Sequence, residues 1–301
     1  MTAKKERIGF VGLGIMGAPM AGHLLKAGYA VRGYDLDPAR VKALVAQGAA
    51  GGRSPGDVAA TSDITITMVP DSPDVERAIA GPDGVMHGAR PGSAVIDMST
   101  VSPVVSRSLA ARLKEKGVDM LDAPVSGGMI GAQNATLSIF VGGDASVYER
   151  CLPVLRKMGK AATYMGPSGM GHTAKLANQV LGITCLIGIA EAFVFAKKAG
   201  LDLPTFLQAA TQGAATSWHL EKIGPKVIEG DFAPGFMAKH MQKDLRLALE
   251  AAGEAGVPMP VTALIAQLYR ALQAQGPEKM TQGHHAIVQV IEQMANAEAR
   301  G

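Results

Sequence analysis

The chain has 301 residues, 48% of them hydrophobic and 18% charged, so it is long enough for two domains with buried cores. Its 37 glycines exceed the usual share of about 7%, yet the apolar content and the lack of a collagen period exclude disordered and fibrous classes. The net charge is only +3 and no run of five basic residues occurs. Nucleic acid is therefore not an expected partner, whereas small acidic substrates are.

The amino-terminal half alternates strand-like and helical segments. The predicted strands cover residues 7–12, 30–35, 63–69, 94–98, 120–124, 137–141 and 162–165. The predicted helices cover 16–27, 38–47, 103–116 and 145–158. Such alternation predicts a mainly parallel sheet with helices on both faces.

The pattern changes after residues 166–169, where helical periodicity replaces strands. A single helix of 29 residues is predicted over 171–199, about 43 Å long. Later helices are predicted over 203–212, 217–229, 241–255, 261–275 and 284–297. We therefore expect an α/β Rossmann-type domain over 1–167 and an all-helical domain over 168–301.

The sequence favours neither a secretory signal peptide nor a membrane-spanning helix. The basic start, residues 1–7, leads into a strand-like run rather than a signal-peptide core. The most apolar stretch, residues 176–196, contains Asn178, Gln179 and Glu191, which are costly at membrane depth. We expect a buried helix of a soluble, cytoplasmic protein.

Cysteines and histidines do not suggest a metal site. Cys151 and Cys185 are too few for a disulfide scaffold or a metal cluster, and their apolar neighbours indicate core positions. The seven histidines show no metal-ligand spacing. Among them, His172 is interpreted as a capping or surface residue.

A glycine-rich turn follows the first predicted strand and opens the first predicted helix. Its GxGxxG residues are Gly12, Leu13, Gly14, Ile15, Met16 and Gly17. In this setting the glycines allow a tight turn, close approach of a pyrophosphate and close helix–strand packing. The helix start offers free N–H groups to the phosphates. The motif predicts a dinucleotide site.

Asp35 ends the second predicted strand, 18 residues after Gly17. A carboxylate here hydrogen-bonds the ribose hydroxyls of NAD and repels the 2′-phosphate of NADP. Leu36 stands where an NADP-binding protein would favour arginine, although Arg32 and Arg40 are nearby in sequence. NAD is expected rather than NADP.

Three further stretches carry polar groups in unusual settings. Residues 122–128 (DAPVSGG) run from a strand end into a Ser-Gly-Gly turn whose hydroxyl and N–H groups suit a carboxylate. Lys175 and Asn178 are three residues apart and share one face of the long helix. Lys243 and Asp244 begin another predicted helix.

These stretches, with the amino-terminal GFVGLGIMGAPM, resemble the β-hydroxyacid dehydrogenase family over residues 7–297. The matching motifs, in order, are the glycine turn, MVP (68–70), DMST (97–100), residues 122–128, residues 171–179 and KDL (243–245). The resemblance implies an oxidoreductase that interconverts a short 3-hydroxy acid and its semialdehyde. A departure occurs at Ala135, where relatives commonly carry glycine.

The resemblance also implies a role for individual residues. Lys175 matches the catalytic lysine and Asn178 the asparagine that orients substrate. Substrate contacts are implied for Ser126, Gly127, Gly128, Thr100, Trp218 and Asp244. Cofactor contacts are implied for Val69, Pro70, Asp74, Thr100 and Lys243, besides the glycine turn and Asp35. Trp218 alone, without the resemblance, would be interpreted as a core or interface residue.

Several functions remain open at this point. The stretches 175–179, 240–244 and 284–288 favour tartronate semialdehyde as substrate, with 3-hydroxyisobutyrate and succinic semialdehyde or another short ω-oxo acid as alternatives. One methyl or hydroxyl contributes only about 1–3 kcal/mol of discrimination in an apolar pocket. A lysine at position 175 argues against an imine reductase. A non-catalytic dehydrogenase-like binding module is the remaining alternative.

A homodimer or homotetramer is also expected. The predicted helix 171–199 has apolar residues around more of its circumference than a surface helix needs, and relatives commonly form such assemblies.

Overall fold

The computed structural model describes residues 5–300, so the first four residues of the basic start lie outside the described residues. Two compact units divide the chain, Met1–Lys175 and Leu176–Gly301. This division falls inside a helix, eight residues after the domain boundary expected from the sequence.

The first unit is α/β, as expected. Its strands are β1 (Ile8–Val11), β2 (Val31–Tyr34), β3 (Ala50–Gly51), β4 (Ile64–Thr67), β5 (Ala94–Asp97), β6 (Asp119–Asp122), β7 (Val125–Ser126), β8 (Leu137–Gly142) and β9 (Gly159–Gly166). Its helices are α1 (Gly17–Lys26), α2 (Pro38–Val45), α3 (Pro55–Ala60), α4 (Ser72–Ala80), α5 (Val85–Gly88), α6 (Pro103–Lys114), α7 (Gly128–Gln133) and α8 (Ala145–Leu155).

The sheet has the order β3-β2-β1-β4-β5-β6-β8-β7, with β9 beside β8. Strands β1 to β6 pair in parallel, whereas β6 and β7 pair antiparallel with β8. The strand order changes direction at β1: β2 and β3 lie on one side of it, and β4, β5 and β6 lie on the other. Ligands bind at such a reversal, beyond the carboxyl ends of the strands.

Both faces of this sheet are covered. Every residue of β1, β4 and β5 is buried, as expected of central parallel strands that helices cover on both faces. Ile8, Phe10 and Ile66 belong to a core on one face, while Val58 and Leu109 belong to a core with α3 to α6 on the other. Both hydrophobic cores fix the strand ends that carry the site.

The second unit is helical throughout the part that the structure describes. The helix α9 (Met170–Lys198) begins in the first unit and continues into the second. It is followed by α10 (Leu203–Ala210), α11 (Trp218–Glu229), α12 (Ala238–Glu254), α13 (Pro260–Ala274) and α14 (Val288–Ala295). Two 3₁₀ turns, Pro277–Thr281 and His284–Ile287, precede α14. The Rossmann-plus-helical fold class is confirmed.

The helix α9 is long and apolar enough to cross a membrane, and half of its most apolar 18-residue window is buried. Core helices of soluble proteins pass the same test of length and composition. Length and composition alone are therefore not evidence that α9 spans a membrane.

Ala135 occupies a backbone conformation that favours glycine. It follows α7 with φ +54°, and the Thr136 N–H donates to the Gly131 carbonyl 2.9 Å away. This bond closes a Schellman-type helix end, whose left-handed position is usually glycine. An alanine there costs about 1–2 kcal/mol of backbone strain.

Ala135→Gly is therefore expected to stabilise the protein by roughly 1 kcal/mol, since relief of strain exceeds the added entropy of the unfolded chain. Urea unfolding measures the change. Ala111→Gly is the matched control, because Ala111 is a solvent-exposed residue in the middle of α6. This substitution should destabilise the protein by about 1 kcal/mol. Equal effects of the two substitutions would contradict the strain argument.

Candidate active site

The glycine turn between β1 and α1 has the geometry of a dinucleotide cradle. A Cβ on Gly12 (φ +95°) would overlap the Met68 carbonyl, and one on Gly17 would overlap the Gly12 carbonyl. A Cβ on Gly14 would meet no atom nearer than Arg40 Nη1, 3.7 Å away. The outer glycines are thus required by the turn, whereas Gly14 leaves open space where a phosphate would approach.

The other residues of the glycine turn differ in the exposure of their side chains. Leu13 is 2% exposed and its side chain lies in the core, so only its backbone can face a ligand. Ile15 is 60% exposed, and Met16 precedes α1 as its N-cap without a side-chain cap. The Ala18 N–H already donates to the Gly14 carbonyl at 3.0 Å, and residue 19 is a proline without an N–H. The backbone N–H groups that the turn could offer to a pyrophosphate are therefore those of residues 14–17.

Asp35 is tied to the same turn. Its Oδ2 accepts the Leu13 N–H at 2.7 Å and its Oδ1 accepts the Asp37 N–H at 2.9 Å. Arg40 Nη1 lies 3.5 Å from Asp35 Oδ1. These bonds hold the carboxylate at the carboxyl end of β2, where adenosine ribose hydroxyls would bind.

The two arginines near Asp35 differ in their availability. Arg32 donates to Asp57 at 2.8 Å and to the Gly51 carbonyl at 3.1 Å, so its guanidinium is engaged. Arg40 is half exposed and pairs at 3.5 Å with both Asp35 and Asp37. A 2′-phosphate would meet the Asp35 carboxylate, which supports the preference for NAD.

The loops after β4 and β5 are joined by a hydrogen bond. The Val69 N–H donates to Ser99 Oγ at 3.0 Å, one residue before Thr100. Pro70 follows Val69, and Asp74 lies in the first turn of α4, 3.6 Å from Arg77 Nη1. Val69 and Thr100 thus follow adjacent strands at the sheet edge that carries the glycine turn.

The Ser-Gly-Gly turn joins β7 to α7. Gly127 has φ +130° and Gly128 φ +59°, conformations that L side chains rarely adopt. Ser126 pairs with Ser138 in the edge strand. Successive glycine N–H groups in such a turn make a concave donor set for an anion.

A row of register neighbours, three of them polar, crosses the carboxyl edge of the sheet. Thr67, Asp97, Asp122 and Gly142 are register neighbours on β4, β5, β6 and β8. Thr67 Oγ1 donates to Asp97 Oδ1 at 2.8 Å. Both carboxylates are almost completely buried, at 0% and 1% exposure. Sequence reasoning did not single out this pair, although each strand ends in aspartate.

His172 lies between these carboxylates and is completely buried, so its interpretation as a surface residue is wrong. Its ring Nε2 is 3.6 Å from Asp97 Oδ2, and its Nδ1 is 3.6 Å from Asp122 Oδ2. Nε2 is also 3.1 Å from the Ser99 carbonyl, which can only accept a hydrogen bond. Three residues later on α9, Lys175 is 6% exposed.

In the second unit, the Asp244 carboxylate contacts the side chains of Gln179 and Lys243. Its Oδ2 accepts from Gln179 Nε2 at 2.7 Å, and its Oδ1 is 3.2 Å from the Lys243 ammonium. Asn178 Nδ2 donates to Gln179 Oε1 at 3.2 Å. Asp244 is 1% exposed, so its observed contacts support neighbouring side chains.

Trp218 begins α11 and is 61% exposed, so it is not a core residue. Its ring contacts His219, which in turn contacts buried His284. Burial lowers the pKa of His284 to about 3 and also lowers that of His219, so both rings are neutral at neutral pH. In the first unit, burial raises the pKa of Cys151 to about 12, as expected for an inert core thiol.

Comparison with known proteins gives matches over nearly the whole chain. Residues 7–166 match the family described as the NAD binding domain of 6-phosphogluconate dehydrogenase. Residues 169–291 match the family described as NAD-binding of NADP-dependent 3-hydroxyisobutyrate dehydrogenase. The two matches follow the change from the α/β to the helical region.

Individual relatives cover almost their full lengths. The chain is 41% identical to 2-hydroxy-3-oxopropionate reductase of Escherichia coli, over 96% of this chain and 98% of that one. It is 40% identical to NAD-dependent L-serine dehydrogenase of Pseudomonas aeruginosa, over 90% and 93%. A solved structure of Mycobacterium tuberculosis 3-hydroxyisobutyrate dehydrogenase with L-serine aligns with a TM-score of 0.88 and 35% identity, over 96% and 99%. The dinucleotide cradle and these relatives agree: the chain is an NAD-dependent oxidoreductase and belongs to the β-hydroxyacid dehydrogenase family.

Proposed function

We propose that the protein reduces tartronate semialdehyde (2-hydroxy-3-oxopropionate) with NADH, and that Lys175 is the general acid. The observation that carries the proposal is the burial of Lys175 in the same compact unit as the dinucleotide cradle. The 41% identity to an enzyme named for this substrate supports the choice of semialdehyde.

The chemistry requires a proton and a positive charge at one oxygen. When bound, NADH supplies the hydride that reduces the aldehyde carbon. The Lys175 ammonium donates its proton to the carbonyl oxygen and stabilises the negative charge that develops there. In the opposite direction, the neutral amine accepts the proton of the substrate hydroxyl, so the same residue acts as base.

The substrate carboxylate is assigned to the Ser126–Gly128 turn. The glycine N–H groups and the Ser126 hydroxyl would donate to it and so orient the aldehyde carbon. Thr100 would lie beside the nicotinamide and the substrate. Assignments of Asn178, Trp218 and Asp244 to substrate and of Lys243 to cofactor come from the family resemblance and stay predictions.

The competing substrates share one chemistry. Each is a short acid with a primary alcohol or aldehyde, as the named substrates of relatives show: 3-hydroxyisobutyrate and L-serine. Succinic semialdehyde is a longer member of the same class. Pocket discrimination of about 1–3 kcal/mol between such substrates corresponds to rate ratios of roughly 10 to 200.

Initial rates test the proposal. Reduction of tartronate, methylmalonate and succinic semialdehydes is measured with NADH and with NADPH, and oxidation of L-serine with NAD. We expect kcat/KM to be highest for tartronate semialdehyde with NADH. A higher kcat/KM for another substrate would replace the substrate assignment. Absence of turnover with all four would contradict the catalytic proposal and favour a binding module.

We also propose that the chain forms homo-oligomers in the cytoplasm. Residues on one side of α9 remain exposed at helical spacing, namely Leu181, Thr184, Gly188, Glu191 and Phe195. Leu181 and Phe195 are each 74% exposed, which is unusual for large apolar side chains of a monomer. A second copy of the chain would bury this side of α9.

A further inference from the structure

We propose that His172 is a positioning residue for Lys175, a proposal that rests on the function assigned above. The histidine joins the first turn of α9 to two strand ends and to the loop that carries Thr100. Its side chain does not reach solvent, since it is 0% exposed. It would act by fixing where Lys175 and Thr100 stand relative to each other.

The first link is between Asp122 and the backbone of α9. Asp122 Oδ1 accepts the Gly169 N–H at 2.8 Å, and its Oδ2 accepts the His172 N–H at 2.9 Å. A carboxylate at this position satisfies two helix-start donors and complements the positive end of the helix. The Asp122 carboxylate at the end of β6 therefore holds the start of α9.

Glycines bring this helix start unusually close to the sheet. A Cβ on Gly171 would overlap the Asp122 carbonyl and would lie 2.6 Å from the Phe140 carbonyl. A Cβ on Gly142 would lie 2.6 Å from Asp122 Oδ1 and from the Gly171 nitrogen. With no side chain between them, the backbone of α9 has little room to shift one turn before Lys175.

The second link runs through the imidazole. Because the Ser99 carbonyl can only accept, the ring donates from Nε2 across 3.1 Å. Ser99 Oγ also accepts the Val69 N–H. One side chain thus connects α9 to the loops that carry Thr100 and Val69, which are assigned to substrate and cofactor.

The third observation concerns the buried polar atoms around the ring. Asp97 Oδ2 and His172 Nδ1 have no hydrogen-bond partner within residues 5–300. Each instead faces a charged or polar neighbour at 3.6 Å, Asp97 Oδ2 facing the ring Nε2 and Nδ1 facing Asp122 Oδ2. Burying such groups costs free energy that an apolar cluster would not, so stability alone does not account for them. A need for fixed geometry at the helix that carries Lys175 accounts for these buried polar groups.

Two substitutions at His172 separate geometry from general stability. His172→Leu removes the Nε2 donor, and His172→Gln keeps an amide N–H at nearly the same place. We expect His172→Leu to lower kcat about 30-fold, because small misplacements of catalytic groups have effects of this order. The KM for NADH should stay within about twofold, and His172→Gln should recover most of the lost kcat.

His285→Leu is the matched control. This histidine is 2% exposed, and its Nε2 lies 2.7 Å from the Asp231 carbonyl, so the substitution removes a similar buried contact elsewhere. Its kcat should remain near that of the unmodified protein. An equal loss in both leucine variants, or no recovery with glutamine, would overturn the proposal.

If His172→Leu does not fold, Asp122→Asn tests the same attachment of α9 to the end of β6. An asparagine offers one acceptor oxygen, so one of the two helix-start N–H bonds is lost, and kcat should again fall with unchanged KM for NADH. Unchanged kcat would overturn the proposal. Lys175→Ala separates the two claims: full turnover in that variant removes the assigned function, whereas lost turnover beside a normal His172→Leu removes only the positioning role.

Discussion

Lys175→Ala should lower kcat by roughly 10³-fold while NADH binding is retained. The substitution removes both the proton donor and the positive charge beside the developing oxyanion. The dinucleotide cradle consists of other residues at β1, β2 and β4, so the Kd for NADH should change little. Stopped-flow single turnovers and fluorescence titration with NADH measure the two quantities separately.

Two further variants sharpen the result. Lys197→Ala removes an exposed lysine near the other end of α9 and should leave kcat unchanged. Lys175→Arg keeps the positive charge but does not release its proton at working pH, so a low kcat is expected there too. Near-normal turnover in Lys175→Ala would refute its role as the general acid.

The parallel sheet was predictable because strand-like and helical segments alternate along the first half of the chain. Residues 8–11, 64–67 and 94–97 form central strands that are buried on both faces, and β-branched residues recur in all three. The long helix was also predicted with its observed length of 29 residues. Its apolar residues lie around most of its circumference, so the helix was predictable from its length and apolar content rather than from a single apolar face.

Shorter helices were missed although their start signals are present. Helix α3 begins at Pro55 after the capping residue Ser54, and α4 begins at Ser72 after the capping residue Asp71 and has Pro73 in its first turn. In each helix the capping side chain accepts a backbone N–H. A capping residue followed by proline in the first turn is a recognised helix start. Their six and nine residues give too little periodicity for the apolar pattern to be seen. The final predicted helix, 284–297, begins as a 3₁₀ turn, in which the His284 carbonyl accepts a hydrogen bond from Tyr269 Oη.

The site was predictable where one motif forms it and not where tertiary packing forms it. The Leu13 N–H of the glycine turn donates to Asp35 Oδ2, 22 residues further along the chain, so the motif contains its own geometry. His172 meets Asp97 and Asp122 from 75 and 50 residues away. Only the strand register, which pairs the two aspartates, brings them together.

Asp35→Ala should lower kcat/KM for NADH by about 100-fold, because hydrogen bonds to a charged group contribute roughly 1.5–3 kcal/mol each. The carboxylate would hold the ribose hydroxyls and also accepts the Leu13 N–H, so the cradle loses both ligand contact and support. The kcat/KM for NADPH should fall much less. The ratio of the two constants is therefore the quantity to measure.

Asp37→Ala is the matched control for Asp35→Ala. Asp37 is a half-exposed carboxylate two residues away that accepts the Ala39 N–H as the cap of α2. Its loss should cost about 1 kcal/mol of stability without changing the NADH to NADPH ratio. In Asp35→Ala the repulsion of a 2′-phosphate is gone, and Arg40 keeps only its 3.5 Å contact with Asp37. A guanidinium suits a phosphate, so an unchanged ratio in Asp35→Ala would show that cofactor choice is made elsewhere in the cradle.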